Sequence, residues 1–272
     1  MRSGAVPRSM PGVGMLLEDR VAVVYGAAGA VGGATARTFA REGAHVVLVG
    51  RRRDPLDAVA DAIHRAGGRA EVAVVDAADP EAVDAHVGAV VAEHGRLDVS
   101  LNATSLRGDL QGTPLREMPV DDFLLPAMTG LRSQFCTATA AARRMAEAGS
   151  GAILTLSTSA AALAGRDRRF HATGGFGVAC AAVEELTRSL AGEVGRHGVR
   201  VVCLRPDALP ETWGERTPPV REAEQFMTGG TALDRMPTLQ QVADAAAFAA
   251  SERAGAITGA ILDLTCGSIM QR

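Results

Sequence analysis

Residues 20–33, RVAVVYGAAGAVGG, decide the reading of this chain. A short apolar run breaks into clustered glycines, and Ala-rich sequence follows through residue 42, so the order is strand, tight turn, helix. Gly26, Gly29 and Gly32 clear the turn of side chains. The backbone can then approach a pyrophosphate lying over the N–H groups and positive dipole end of the helix, with Ala28 and Val31 in the same cradle. A glycine triplet alone also arises in ordinary loops. The strand before it and the helix after it favour dinucleotide binding over a purely structural turn.

The 272 residues are 47% hydrophobic with a net charge of −3, and no apolar run is long enough to cross a bilayer. The arginines are scattered, without a basic stripe interleaved with aromatics, so neither nucleic acid nor membrane is expected as a partner. Cys136, Cys180, Cys203 and Cys266 lie far apart in apolar segments. Their spacing fits neither a zinc site nor a secreted disulfide framework, so no metal centre is expected and the thiols read as buried in a reducing cytoplasm. Residues 1–16 read as a disordered tail and 17–272 as one domain.

Strands are expected at 45–49, 70–75, 99–102, 152–156, 201–204 and 260–264 after the one that enters the glycine turn. Between them fall a helix opened by Asp54-Pro55 and ending near 66, one opened by Asp79-Pro80 and ending near 94, and a long one over 120–148 interrupted near Pro126. Two more are expected over 176–194 and 238–250, with a loop at 206–237. Alternation of β and α, with strands apolar throughout, calls for an α/β domain with a parallel sheet of about seven strands and helices on both faces.

From Leu17 onward nearly the whole chain resembles the short-chain dehydrogenase/reductase family, a Rossmann-like, doubly wound single domain using NAD(H) or NADP(H). The glycine turn is similar to the family's TGxxxGxG, with Tyr25 at the Thr and Ala30 at the middle Gly, while Gly29 gives the GxxGxxG spacing of its extended branch. VVDAAD places Asp76 and Ala77 where the family contacts adenine, and LDVSLNAT (97–104) resembles the segment ending in NNAG. The resemblance thereby adds Asn102, Ala103 and Thr104 to the cofactor set. Arg205-Pro206-Asp207 resembles the loop whose usual signature is Pro-Gly, bringing in Pro206 and Leu209, and AITGAILDLTCG (256–267) is similar to the ITG...VDGG ending.

Cofactor choice falls to the end of the second strand, where the adenosine ribose belongs. An acid there would accept from both ribose hydroxyls, but this chain has Gly50 followed by Arg51-Arg52-Arg53. NADP(H) is therefore expected over NAD(H), with Arg51 clamping the 2′-phosphate and Arg52 assisting. A solvated charge run before a helix is the competing reading.

The catalytic half departs from the family. Aligned from Ser189-Leu190-Ala191, Phe176 stands at the family's Tyr, Cys180 at its Lys and Ala127 at its Asn; Thr158 takes the Ser position. Neither a benzyl group nor a buried thiol can replace the Tyr and ammonium. The chain contains no lysine, and its one tyrosine, Tyr25, lies at the glycine turn. The hydroxyls of Ser157, Thr158 and Ser159 remain, either to orient a substrate or to cap the turn, and His171 is the nearby group able to exchange a proton at neutral pH. Two function classes stay open: an atypical oxidoreductase acting on a small substrate, and a non-catalytic NADP(H)-binding protein serving as sensor or partner subunit. Trp213, Phe226 and Met227 suggest an apolar ligand, or a loop packing its own side chains on the core. The resemblance further implies a homo-oligomer, tetramer or dimer, packed through small residues including Ala138, Ala140, Ala141, Ala181 and Ala182.

Overall fold

The structure is a computed structural model describing residues 14–163, 172–215 and 217–270. Among these residues seven strands form one sheet: β1 (Val21–Tyr25), β2 (His45–Gly50), β3 (Arg69–Val74), β4 (Val99–Asn102), β5 (Gly151–Leu156), β6 (Val199–Pro206) and β7 (Ile261–Leu264). Their order is β3-β2-β1-β4-β5-β6-β7, and every pairing is parallel. The helices are α1 (Ala30–Arg41), α2 (Arg53–Arg65), α3 (Pro80–His94), α4 (Val120–Pro126), α5 (Arg132–Ala148), α6 (Gly174–Val194), α7 (Pro218–Gly229) and α8 (Leu239–Ala250).

Both faces of the sheet are covered. Ala22 and Val24 of β1 pack in one core with Phe39 of α1, Leu56 and Ile63 of α2 and Ala246 of α8. Val21, Val23 and Tyr25 face the other core, built with Val83 and Val87 of α3, Ala141 and Met145 of α5 and Leu190 of α6. This is why the strands read as continuous apolar runs. After β3 the chain crosses to the far side of β1, so a switch point opens between β1 and β4 at the carboxyl ends of the strands.

Several expected boundaries move. α2 opens at Arg53 with Arg52 as its N-terminal flank, so Asp54 sits in the first turn instead of capping it. Asp79 does cap α3, its carboxylate accepting from the N–H groups of Glu81 and Ala82. The helix expected over 120–148 divides into α4 and α5 around a π-turn, Ala127–Leu131, directly after Pro126, whose missing N–H breaks the regular ladder. The stretch 206–237, read as loop, contains α7, which starts with Pro218 at its first position and buries no residue.

The tail expected for residues 1–16 lies outside the described residues as far as 13, and Leu16 donates its N–H to Glu42 Oε2 at 3.0 Å. Cys136, Cys180 and Cys203 are buried, whereas Cys266 is only half-buried. Ala138, Ala140 and Ala141 are at most 2% exposed inside the subunit, whereas on α6 Ala181 is exposed and Ala182 half-buried; the large exposed apolar groups on the two helices are Phe135 and Val178. Among the described residues no helix is long and apolar enough to cross a membrane.

Candidate cofactor and substrate cleft

β1 ends at Tyr25, which is fully buried, its hydroxyl 3.4 Å from His86 Nδ1. Burial pushes the phenol far above its ordinary pKa, so this one tyrosine holds its proton and belongs to the core. Gly26 then turns the chain at φ +74°, and a Cβ there would come within 2.7 Å of Ala103 O. Both the left-handed conformation and the close approach require glycine. The Gly29 N–H donates to Gly26 O at 2.9 Å, closing the turn before α1.

A cleft of about 610 Å³ opens at the switch point. Of the residues assigned to the cofactor by sequence, Gly26, Gly29, Val31 and Arg51 line it, as do Ala103, Thr104, Pro206 and Leu209. The others stand off its wall. Ala28 is exposed beyond the rim, Gly32 is buried beneath the turn, and Arg52 is exposed. Asp76 is exposed, its Oδ1 accepting the Ala78 N–H at 3.0 Å, while Ala77 is buried. Asn102 points inward: Nδ2 donates to Thr137 Oγ1 at 2.9 Å, and Oδ1 accepts from the N–H and hydroxyl of Thr104 at 2.9 and 2.6 Å. Its part is to fix the Thr104 loop that forms the cleft wall.

The three hydroxyls after β5 prove unlike one another. Ser157 donates to Glu184 Oε1 at 2.8 Å; Glu184 Oε2 accepts from Arg205 Nη1 at 3.0 Å, and Arg205 grips Asp263 with two further bonds of 2.6 and 2.9 Å. Ser159 donates to Asp207 Oδ1 at 2.7 Å, and the Ser268 hydroxyl donates to the other oxygen. Both serines are thus tied to buried carboxylates. Among the described residues Thr158 has no carboxylate partner: its Oγ1 accepts the Ala160 N–H at 3.3 Å, capping the short turn Ser159–Ala161, and lies 3.5 Å from Cys180 Sγ. This hydroxyl thus caps the turn and also lines the cleft.

Phe176 lines the cleft as well, and Cys180 is fully buried behind Thr158. Burial pushes the thiol up to about 12, so it is a neutral group at physiological pH. Ala127 sits in the π-turn and does not line the cleft, and His171 lies outside the described residues. Trp213 and Met227 line the cleft, while Phe226 is 45% exposed and does not. The sequence reading missed Glu184 and Asp207 as site residues. A charged residue on the otherwise apolar face of α6, and an acid where the family signature has Gly, were the available signals. Among the described residues, Arg205 pairs with Glu184 and Asp263, while Asp207 is held by Ser159 and Ser268.

Residues 26–268 match the family model described as enoyl-(acyl carrier protein) reductase. Over 254 residues the chain is 33% identical to A-factor type gamma-butyrolactone 1'-reductase (1S-forming) of Streptomyces virginiae, covering 91% of this chain and 94% of that protein. The chain belongs to the short-chain dehydrogenase/reductase family. A second short-chain dehydrogenase/reductase relative, cis-4-hydroxycyclohexanecarboxylate dehydrogenase of Sinomonas cyclohexanicum, is 32% identical over 255 residues, 94% of this chain and 98% of the other. Among solved structures, a short chain dehydrogenase from Mycobacterium smegmatis superposes with a TM-score of 0.76 at 28% identity, covering 96% of this chain and 97% of that one. These relatives are named as reductases and dehydrogenases, so the family is one of oxidoreductases.

Proposed function

We propose that the protein is an NADP(H)-dependent oxidoreductase that moves hydride to or from a small, mainly apolar substrate without a Tyr/Lys acid-base pair. The observation that carries the cofactor choice is Arg51, which stands on the cleft wall directly after β2 where an acid would select NAD(H). Arg53 is committed to α2, 3.7 Å from Asp57, which leaves Arg51 as the clamp on a 2′-phosphate and exposed Arg52 as its helper. The bound nicotinamide supplies the hydride chemistry. The residues of this chain bind, orient and exclude water. Thr158 Oγ1 offers a hydrogen bond to a substrate heteroatom, and Phe176, Trp213 and Met227 give the cleft its apolar walls. Phe176 has no proton to give and the Cys180 thiol keeps its own, so reactions that need no strong acid at oxygen, such as conjugate reduction, suit the site best.

The absence of the Tyr/Lys pair also favours a second reading, a non-catalytic NADP(H) sensor or partner subunit. Turnover of NADPH or NADP⁺ with a panel of carbonyls, enones and alcohols separates the two, because the second reading allows none. For the cofactor, titration of nicotinamide fluorescence should show NADPH binding more tightly than NADH. An exposed charge-assisted clamp stands at the low end of such interactions, about 1.5 kcal/mol, so Arg51→Ala should weaken NADPH about tenfold and leave NADH unchanged. Equal affinities in the parent, unaltered by Arg51→Ala, would remove the basis for the assignment.

A further inference from the structure

Far from the cleft, toward the amino-terminal ends of the strands, two histidines and a glutamate converge. His94 Nε2 lies 2.9 Å from Glu71 Oε1, and His45 Nε2 lies 3.7 Å from Glu71 Oε2. The two imidazole centres are 4.6 Å apart, and one ligating atom from each residue falls within a 4.8 Å span. The fold imposes this meeting. The β2–β3 register sets His45 opposite Arg69 and Val47 opposite Glu71, so His45 and Glu71 project from one face of the sheet, toward α3, whose last residue is His94.

The His94–Glu71 hydrogen bond accounts for two of the three groups but not for His45. Its Nε2 is shielded from solvent and has no hydrogen-bond partner, a bare polar atom that ordinarily destabilises a fold. Arg69 is turned outward, donating to Gly43 O and pairing with Asp19, so no guanidinium occupies the space.

We propose that His45, Glu71 and His94 form a binding site for a divalent first-row transition cation, Zn²⁺ in particular. Two imidazoles and a carboxylate are a set that binds zinc and leaves a fourth position for water. Tetrahedral zinc with bonds near 2.1 Å spaces its ligands about 3.4 Å apart, and one ligating atom from each of the three residues already lies within 4.8 Å of the other two. Small side-chain rotations complete the site. The ion would join β2, β3 and α3 at the base of the nucleotide half, acting as a structural clasp remote from the chemistry.

The test uses the full chain without a polyhistidine tag, stripped with chelator and free of nucleotide, so its outcome is independent of the oxidoreductase reading. Calorimetric titration with Zn²⁺ should show one equivalent bound per chain, Co²⁺ should give the strong visible absorption of a tetrahedral complex, and saturation should raise the melting temperature. His94→Ala and Glu71→Gln should each weaken binding more than about tenfold. His197→Ala, at an exposed histidine outside the cluster, should change nothing. Glu71→Gln preserves shape and hydrogen bonding and decides the matter should His94→Ala fold poorly. Absence of stoichiometric binding, or binding indifferent to Glu71→Gln, overturns the proposal.

Discussion

Replacing Gly32 by alanine should destabilise the protein, whereas the same replacement at Gly88 should stabilise it. Both glycines lie inside helices, α1 and α3, and neither has a positive φ, so the backbone conformation suits alanine at both. At Gly32 a Cβ would stand 2.8 Å from the carbonyl carbon of Gly26, closer still to its oxygen, and 3.1 Å from Ala27 Cα. The first distance falls about 0.6 Å short of ordinary contact at 3.4 Å, and because every obstructing atom is backbone the helix must lift off the turn, at about 2–3 kcal/mol. Helix propensity returns about 1 kcal/mol, leaving a net loss of about 1–2 kcal/mol. At Gly88 the nearest atom is Arg144 Nη2 at 3.7 Å, so only the propensity gain of about 0.5–1 kcal/mol remains. Urea melts of the three proteins, analysed at a common slope, measure both changes. Nucleotide titration should show Gly32→Ala also binding less tightly, since its N–H groups are drawn from the turn. Shifts of the same sign at the two positions would refute the packing argument for the glycine turn.

Restoring the family pair with Phe176→Tyr and Cys180→Lys should not produce an efficient ketone reductase, because the ammonium would enter a pocket shaped for a neutral thiol and Ala127 stays in place; rates near ~10 s⁻¹, common for enzymes, in either parent or variant would contradict this. Cys180 has its thiol pKa raised from 9.0 to about 12, so its stabilising share is whole below pH 9 and declines by about 1.4 kcal/mol per unit as pH rises toward 12. Denaturant stability against pH should therefore fall less steeply in Cys180→Ala over that window, and parallel curves would count against it. If the protein assembles through the outer faces of α5 and α6, Phe135→Glu with Val178→Glu should shift light scattering from oligomer to monomer, at positions 55% and 49% exposed in the isolated chain. A monomeric parent would end that line of reasoning.

The sheet was legible because a parallel sheet buried on both faces writes itself as apolar runs, and each strand falls within two residues of its expected place. α7 was hidden by the prolines and charges that surround it, since it has no fully buried residue and only Val220, Ala223 and Met227 as a short half-buried apolar stripe. At the cleft, Gly26 and Arg51 are placed by the strand immediately before each, and both line the wall. The distinction between Thr158 and its neighbours was not local. Ser157 and Ser159 acquire carboxylate partners 27 and 48 residues away, brought to them by α6 and the end of β6, and no spacing in the sequence announces such meetings. Of the small residues assigned to an interface, Ala138, Ala140 and Ala141 turned inward for a similar reason, because α5 packs on the sheet and its far side, with Phe135, faces out, while Ala181 of α6 stays exposed.

The linkage of Arg205 to Glu184 and Asp263, with Asp207 close by, has an electrostatic consequence. Among the described residues, these three carboxylates and one guanidinium contribute a negative potential at this end of the cleft, and they are largely shielded from water. An oxyanion growing beside Thr158 forms against that potential, whereas a group that arrives protonated, or becomes cationic as it reacts, is drawn in by it. Mobile ions reach an interior field only weakly, so this bias toward positive charge persists at ionic strengths that erase the influence of surface arginines.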